Sequence, residues 1–503
     1  MIASSLPLLV AVPLLLAGVT VVWRQRLFDR VLLVLTPAFT LAFGAVLLAF
    51  HADTPAAATS LGAFAPGFAI AFASDTLTAI MLTVTGFLTL VAVSYLMISG
   101  EDRYRFVTPL VLLLIGGVNG ALLTGDLFNL FVFVEVMLLP SYALIAVTGT
   151  WRRLGIGRLF VLVNLLTSTF LLMGVGLVYG AAGTVNLARL AGSGEDPSTG
   201  LAMGVVVFAL LVKAGVVPVH GWLPRSYPAT SAGVMGLFSG LHTKVGLYAV
   251  YRIVSTVWGA DAPWATIGLA VVVLTVLVGS IATFVERRIR GALAYQMVAG
   301  VGHILIGLLV FTQLSVAAGL LYMVHHMVTM GSLVFASGAI ESTYGSGRFD
   351  RLSGLLKREP GIAAVMALGF LSLVGLPPTS GLWGKALLVA GAAEAPRTTA
   401  IALIASVVAA SFVSLMALQR VWGSVFWGPP MKEFLPDDPE TARGERTLLP
   451  EDTKISALKA LPATLLIAVS LAMFGAITWI WPFFDRAAAG LVDVSHYVKA
   501  VLG

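Results

Sequence analysis

Gly125-Asp126-Leu127-Phe128-Asn129-Leu130-Phe131-Val132-Phe133-Val134-Glu135-Val136-Met137-Leu138-Leu139-Pro140-Ser141-Tyr142 is an apolar run with one carboxylate, Glu135, in its interior. Read as a membrane helix rising about 1.5 Å per residue, it puts Glu135 roughly 13 Å beyond Asp126. That is close to half the depth of a hydrocarbon core about 30 Å thick. An acid there costs about 2.5 to 3.5 kcal/mol on insertion unless it meets a cation, water or a proton, and acids kept at such depth usually serve function.

The rest of the chain makes the membrane reading general. With 503 residues, 58% hydrophobic and 11% charged, and a mean hydropathy of +0.98, it has too little polar surface to cover a soluble globule. The formal charge of +6 falls in short loops between apolar runs. These bases read as topology signals rather than a phosphate-binding face, so no nucleic-acid partner is expected. The absence of cysteine excludes disulfides, iron–sulfur ligation and thiolate chemistry from this chain, though not from its partners. No Walker loop, dinucleotide fingerprint or His-Glu-x-x-His is present, so neither nucleotide-driven transport nor a cofactor is expected.

Apolar runs centred near Leu14, Thr40, Phe87, Leu114, Phe133, Leu166, Val206, Gly240, Val273, Gly302, Val328, Leu371, Ala409 and Val469 predict about fourteen helices at roughly twenty residues per span. The first run is followed, not preceded, by Arg24 and Arg26, the reverse of a cleaved signal, and reads as a retained helix. Bases at Arg24 to Arg30, Arg103 and Arg105, Arg152 to Arg158, Arg225, Arg287 to Arg290, Arg348 to Arg358 and Lys432 to Lys459 mark alternate loops. These loops are expected to face the cytoplasm and both termini to face outward, with Arg189, Arg252 and Arg397 breaking the pattern. Pro429 to Lys459, with prolines at Pro436 and Pro439, reads as a cytoplasmic connector. The tail beyond Trp481 reads as an amphipathic helix on the outer surface.

Besides Glu135, the ionisable residues inside apolar runs are Lys213, His242, Lys244, His303, His325, His326 and Lys385. Helices stacked side by side bring such groups into one polar line parallel to the membrane, the arrangement of a proton relay. Lysine and glutamate suit it because a low dielectric disfavours the charged form of each and a nearby opposite charge restores it. Moving Lys213 relative to Glu135 then changes how readily a proton leaves.

Plainer readings stand beside these. Glu135 and Lys213 can form a static ion pair between helices. His242 and Lys244, two apart, cannot share a helix face; Lys244 is the favoured relay member, with His242 either a second member or a core histidine. His325 and His326 either pass protons, as imidazoles near neutrality do, or pack, and His303 stands equally between the two roles. Lys385 relays or snorkels to an interface. Asp126, one turn before Asn129, reads as a helix cap. Trp222 in His220-Gly-Trp-Leu-Pro224 reads as an interfacial anchor or part of a turn.

Two spans carry prolines beside lysines, in Lys213-Ala-Gly-Val-Val-Pro218 and Gly375-Leu-Pro-Pro-Thr-Ser-Gly-Leu-Trp-Gly-Lys385. Broken helices at corresponding places are the usual pointer to an inverted-repeat transporter, but here the lysine precedes the break in one span and follows it in the other, so the residues by themselves argue the repeat only weakly.

Gly125-Asp-Leu-Phe-Asn-Leu-Phe131 followed by Glu135 resembles the fifth helix of the D-type subunits of Mrp multisubunit cation/proton antiporters. Related antiporter-like membrane subunits of respiratory complex I share the glutamate but usually not that lead-in. Gly375 to Lys385 is similar to the Gly-Ile-Pro-Pro-x-x-Gly-Phe-x-x-Lys motif of the superfamily's twelfth helix, whose lysine ends the relay on the exit side. Tyr322 to Phe335 resembles a family helix that commonly has lysine five residues after the histidine. Met330 stands there in this chain, which leaves the step from Lys244 to Lys385 to His325 or His326 and water.

The resemblance covers nearly the whole chain and implies an all-α polytopic membrane fold with two inverted-topology repeats and two broken helices. Residues 1–106 hold helices 1–3, 107–256 the first repeat, 257–428 the second, 429–459 the connector and 460–503 the last helix and tail. It further implies a secondary transporter subunit rather than an enzyme, moving H+ in exchange for Na+ beside other Mrp subunits in the plasma membrane of a prokaryote, with no Na+ site assigned. The alternatives are a proton-pumping subunit of NADH-quinone oxidoreductase or of a membrane-bound hydrogenase, and a scaffold whose buried charges pack an assembly.

Overall fold

Without water in hydrocarbon, each apolar run must close its own backbone hydrogen bonds, and helices do so. A computed structural model describes residues 2–62, 64–147, 151–434 and 447–503. Its principal helices are α1 (Leu8–Val22), α2 (Arg26–Phe50), α3 (Thr76–Ser99), α4 (Val107–Leu123), α5 (Leu127–Ala146), α6 (Trp151–Ala182), α7 (Pro197–Ala214), α8 (Ala232–Val257), α9 (Ala265–Ala282), α10 (Ile289–Val310), α11 (Gln313–Tyr344), α12 (Pro360–Val374), α13 (Ser380–Ala392), α14 (Arg397–Val425), α15 (Ala457–Gly475), α16 (Ile477–Val492) and α17 (Ser495–Leu502).

Against about fourteen expected spans, eleven helices among the described residues are long and apolar enough to cross a membrane. The difference has local causes. α4 and α12 are apolar but short. The run containing α12 and α13 is interrupted at Gly375, and α8 carries His242, Lys244 and Arg252 within its length.

The two breaks share one local design. α7 ends at Gly215 with φ +83° and α12 at Gly375 with φ +97°, a left-handed backbone that glycine adopts without a Cβ clash. In each, a cis X-Pro bond follows three residues on, at Val217-Pro218 and Pro377-Pro378.

α8 and α11 form the centre. Every residue of α8 is buried, and α11 packs against α8, α10, α12, α13, α15 and α16. Together these two helices carry His242, Lys244, His325 and His326, so the core of the protein is also where its ionisable groups meet.

Beyond the helices, β1 (Ala56–Ser60) pairs antiparallel with β2 (Ala71–Asp75), and β3 (Glu433–Phe434) pairs with β4 (Thr447–Leu448) across the connector. Pro436 and Pro439 lie outside the described residues, as do the side chains of Arg152 and Arg153. α15 begins at Ala457 rather than at residue 460, because the Ser456 hydroxyl caps it by accepting from the Lys459 N–H. The tail is helical but bends at Asp493. α16 buries Phe484, Ala487, Ala488 and Leu491, and α17 buries Tyr497 and Val501 beside β1 and β2.

Two exceptions to the loop charge pattern have structural causes. Arg189 lies 4.2 Å from the Phe68 ring centroid. Arg252 reaches across to Asp75 at the start of α3, with NH1 to Oδ2 at 2.7 Å and NH2 to Oδ1 at 2.8 Å. Asp75 also caps α3 by accepting from the Thr78 N–H at 2.9 Å. Both side chains are under a tenth exposed. Removing one partner of such a pair costs about 3–5 kcal/mol, because the other charge stays buried. Asp75→Asn is therefore expected to lower the thermal unfolding midpoint of the purified protein, and Asp75→Leu with Arg252→Met to recover most of the loss. An Asp75→Asn midpoint equal to wild type would remove the pair from the stability argument.

Candidate functional site

Glu135 lies in the middle of α5, and the structure leaves it half-buried rather than enclosed. The Ser168 hydroxyl of α6 donates to Glu135 Oε1. Lys213, in the last turn of α7 beside the break, donates from Nζ to Ser168 Oγ at 2.9 Å. The expected ion pair is thus bridged by a hydroxyl, which can accept from an ammonium and donate to a carboxylate at once. A proton moved through Ser168 changes the charge at both ends.

His242 sits in an aromatic setting. Its ring centroid lies 4.3 Å from that of Phe238, with Phe160 and Tyr227 farther out. Its Nε2 meets Ser141 Oγ at 2.8 Å, and Ser141 belongs to α5 like Glu135.

Lys244 is fully buried, and its Nζ has no hydrogen-bond partner among the described residues. Three imidazoles then gather on one phenol that sequence reasoning did not single out, Tyr322. Ring centroids lie 5.1 Å away for His303, 5.2 Å for His325 and 6.1 Å for His326. The spacing of three and four residues from Tyr322 to His325 and His326 held a clue, since such positions share a helix face.

His303 Nδ1 bonds the Ala299 carbonyl of its own helix at 2.7 Å, and His326 Nε2 the Gln296 carbonyl at 3.4 Å. His325 Nδ1 meets Ser380 Oγ at 2.8 Å. Gly384, next to Lys385 in α13, faces the His325 ring, whose Cδ2 would lie 3.5 Å from a Cβ placed there. Lys385 does not snorkel: it is 7% exposed and donates to Ser411 Oγ of α14 at 2.7 Å.

The structure brings the eight sequence-derived residues together in part: Glu135 and Lys213 share Ser168, His242 meets Ser141 on the helix that carries Glu135, and His303, His325 and His326 share Tyr322, while Lys244 and Lys385 are buried without a hydrogen bond to another of the eight among the described residues. Besides Tyr322, the residues missed are the serine hydroxyls of Ser141, Ser168, Ser380 and Ser411. Serines in membrane helices ordinarily bond the carbonyl four residues back, as Ser141 also does to Met137 at 2.7 Å, so sequence carries no sign of a second partner. Asp126 caps α5 by accepting from the Asn129 N–H at 2.8 Å, as its position predicts. Trp222 donates to the Val212 carbonyl at 3.0 Å and is 6% exposed, which makes it part of the turn and not an interfacial anchor. Among the described residues no group of three or more His, Asp or Glu is placed to hold a metal ion.

Known proteins resemble this chain along most of its length. The family described as NADH:quinone oxidoreductase/Mrp antiporter, TM, matches residues 124–413. The D-type subunit of the Na(+)/H(+) antiporter of Bacillus subtilis (strain 168) is 33% identical over 452 residues, 88% of each chain. A chain in the structure of the Mrp complex from Dietzia sp. DQ12-45-1b is 39% identical with a TM-score of 0.94, covering 100% of this chain and 99% of that one. A chain of respiratory complex I from Thermus thermophilus with bound NADH shares the fold, with a TM-score of 0.79 at 22% identity over 99% of this chain and 100% of that one.

A buried amine without a protein partner is held at the expense of stability, and Lys244→Met, similar in shape and apolar, is expected to raise the unfolding midpoint by the equivalent of about 1–3 kcal/mol. A lower midpoint would assign the ammonium a structural role instead.

Proposed function

The chain belongs to the NADH:quinone oxidoreductase/Mrp antiporter transmembrane family, and from that premise we propose that it is the proton-translocating subunit of a multisubunit Na+/proton antiporter. The observation that carries the reading is the Glu135–Ser168–Lys213 bridge at the head of a buried succession of titratable groups. Lys213 and Glu135 share one hydroxyl, so a proton arriving at one changes the field at the other. His242 and Lys244 extend that field into the second half, where His326, His325 and His303 lead to Lys385. Carriage across Lys244 falls to water, since a buried group without a protein partner is otherwise left unsolvated.

Exchange against Na+ is supported by likeness to the Bacillus subtilis antiporter subunit. A hetero-oligomer with other Mrp subunits is supported by likeness to a chain of the Dietzia Mrp complex. The higher identity to these two than to the complex I chain favours an antiporter over a redox-driven pump, and a transporter subunit over an enzyme. The matched breaks at Gly215 and Gly375 support two repeats over residues 107–256 and 257–428. The multi-pass chain is assigned to the plasma membrane of a prokaryote, and the alternation of basic loops supports both termini facing outward.

The test uses vesicles holding the whole complex, with Na+-induced collapse of an imposed pH gradient as the readout. Glu135→Gln and Lys385→Ala are each expected to slow exchange by roughly two orders of magnitude, the range of a lost proton-transfer group. Wild-type rates in assembled variants would replace the relay with the scaffold reading.

A further inference from the structure

Four buried hydroxyls from four helices close a ring on His325. Its Nδ1 meets Ser380 Oγ of α13 at 2.8 Å, and Ser380 Oγ meets Ser470 Oγ of α15 at 2.7 Å. Ser470 meets Ser372 of α12 at 3.2 Å, and Ser372 meets Thr329 of α11 at 3.0 Å. Thr329 Oγ1 returns to His325 Nδ1 at 3.4 Å. None of the four is more than 2% exposed.

A close approach of the broken helix makes the ring possible. A Cβ added at Gly381 would collide with the Ser372 carbonyl oxygen, so any side chain there would push α13, which carries Ser380, off α12.

The ring has a direction, and His325 sets it. With a proton on Nδ1, donation runs from His325 through Ser380, Ser470 and Ser372 to Thr329. Without it, the same chain runs the other way and Ser380 donates to Nδ1. Each serine hydroxyl has one proton and spare acceptor capacity and is satisfied in both orders; when Nδ1 carries the proton it has no lone pair, so Thr329 then accepts from Ser372 without donating back to the imidazole. Either way Nδ1 is engaged, while the buried Nε2 has no hydrogen-bond partner among the described residues. The bond made by one imidazole nitrogen decides what the other can carry.

We propose that the Ser380–Ser470–Ser372–Thr329 ring holds Nδ1 of His325 and so assigns proton carriage to Nε2, with Ser470 a positioning residue that ties the helix after the connector to the relay. Its consequence for transport rests on the function proposed above. Its effect on the imidazole does not.

Deuterium exchange at the imidazole C2–H, read by peptide mass spectrometry on the purified complex, follows each histidine separately once fragmentation divides His325 from His326. Ser470→Ala is expected to change the His325 rate severalfold and leave His303 unmoved, and Ser470→Thr to restore it. In vesicles, Ser470→Ala is expected to lower the maximal exchange rate by roughly tenfold, the usual scale for a lost orienting partner, at an unchanged half-saturating Na+ concentration. An unaltered His325 rate, or an equal change at His303, overturns the ring. If Ser470→Ala does not assemble, Ser372→Ala breaks the same ring from the neighbouring helix and is read identically. A wild-type complex without Na+/H+ exchange would sink the proposed function, and the deuterium readout would still decide the ring.

Discussion

A polar group in hydrocarbon has to find its partner inside the protein, and in this chain the partner is repeatedly a hydroxyl. Glu135 and Lys213 meet through Ser168, His242 meets Ser141, His325 meets Ser380, and Lys385 meets Ser411. A direct ion pair gains Coulomb energy at short range but holds both charges in place. A shared hydroxyl satisfies both groups while leaving the proton free to relocate, which suits the relay proposed for these groups. Where permanence is wanted, the protein uses the other solution: the Asp75–Arg252 contact is a close two-point pair at the end of α3.

The same constraint explains why the centre of the molecule is so densely packed. α8 and α11 carry His242, Lys244, His325 and His326 and are also its most enclosed helices. Glycine allows the closeness. A Cβ at Gly300 would collide with the His326 ring, and one at Gly236 with the ring of Phe335. Small residues at helix contacts are the general means of bringing backbones together in membranes, and here they bring imidazoles within reach of neighbouring helices.

Both helix breaks lie beside a lysine on this succession. Lys213 ends the helix before Gly215, and Lys385 lies in the helix that follows Gly375. A break releases backbone from the regular ladder and lets the two halves of a span tilt separately, so the lysines sit where small changes in helix angle alter their distance to a partner. The two lysines, Lys213 and Lys385, thus each lie beside backbone that is not a continuous helix, whereas Glu135 lies within the unbroken α5.

Composition and the spacing of apolar runs were enough to read a multi-pass helical protein, because hydrocarbon leaves a long apolar segment few alternatives to a helix. Glu135, Lys213, Lys244 and Lys385 were legible for the same reason: a charge inside an apolar run is conspicuous. Asp126 was legible as a cap from its place before the run. The partners of these groups were not legible. Ser168, Ser411, Ser470 and Tyr322 look like ordinary residues of membrane helices, and a serine satisfied by its own helix has the same one-letter code as one bridging two charges. Which hydroxyl faces which charge depends on helix rotation and approach, set by contacts among residues far apart in the chain. The half-burial of Glu135, the inward turn of Lys385 and the closed ring around His325 were accordingly decided by packing.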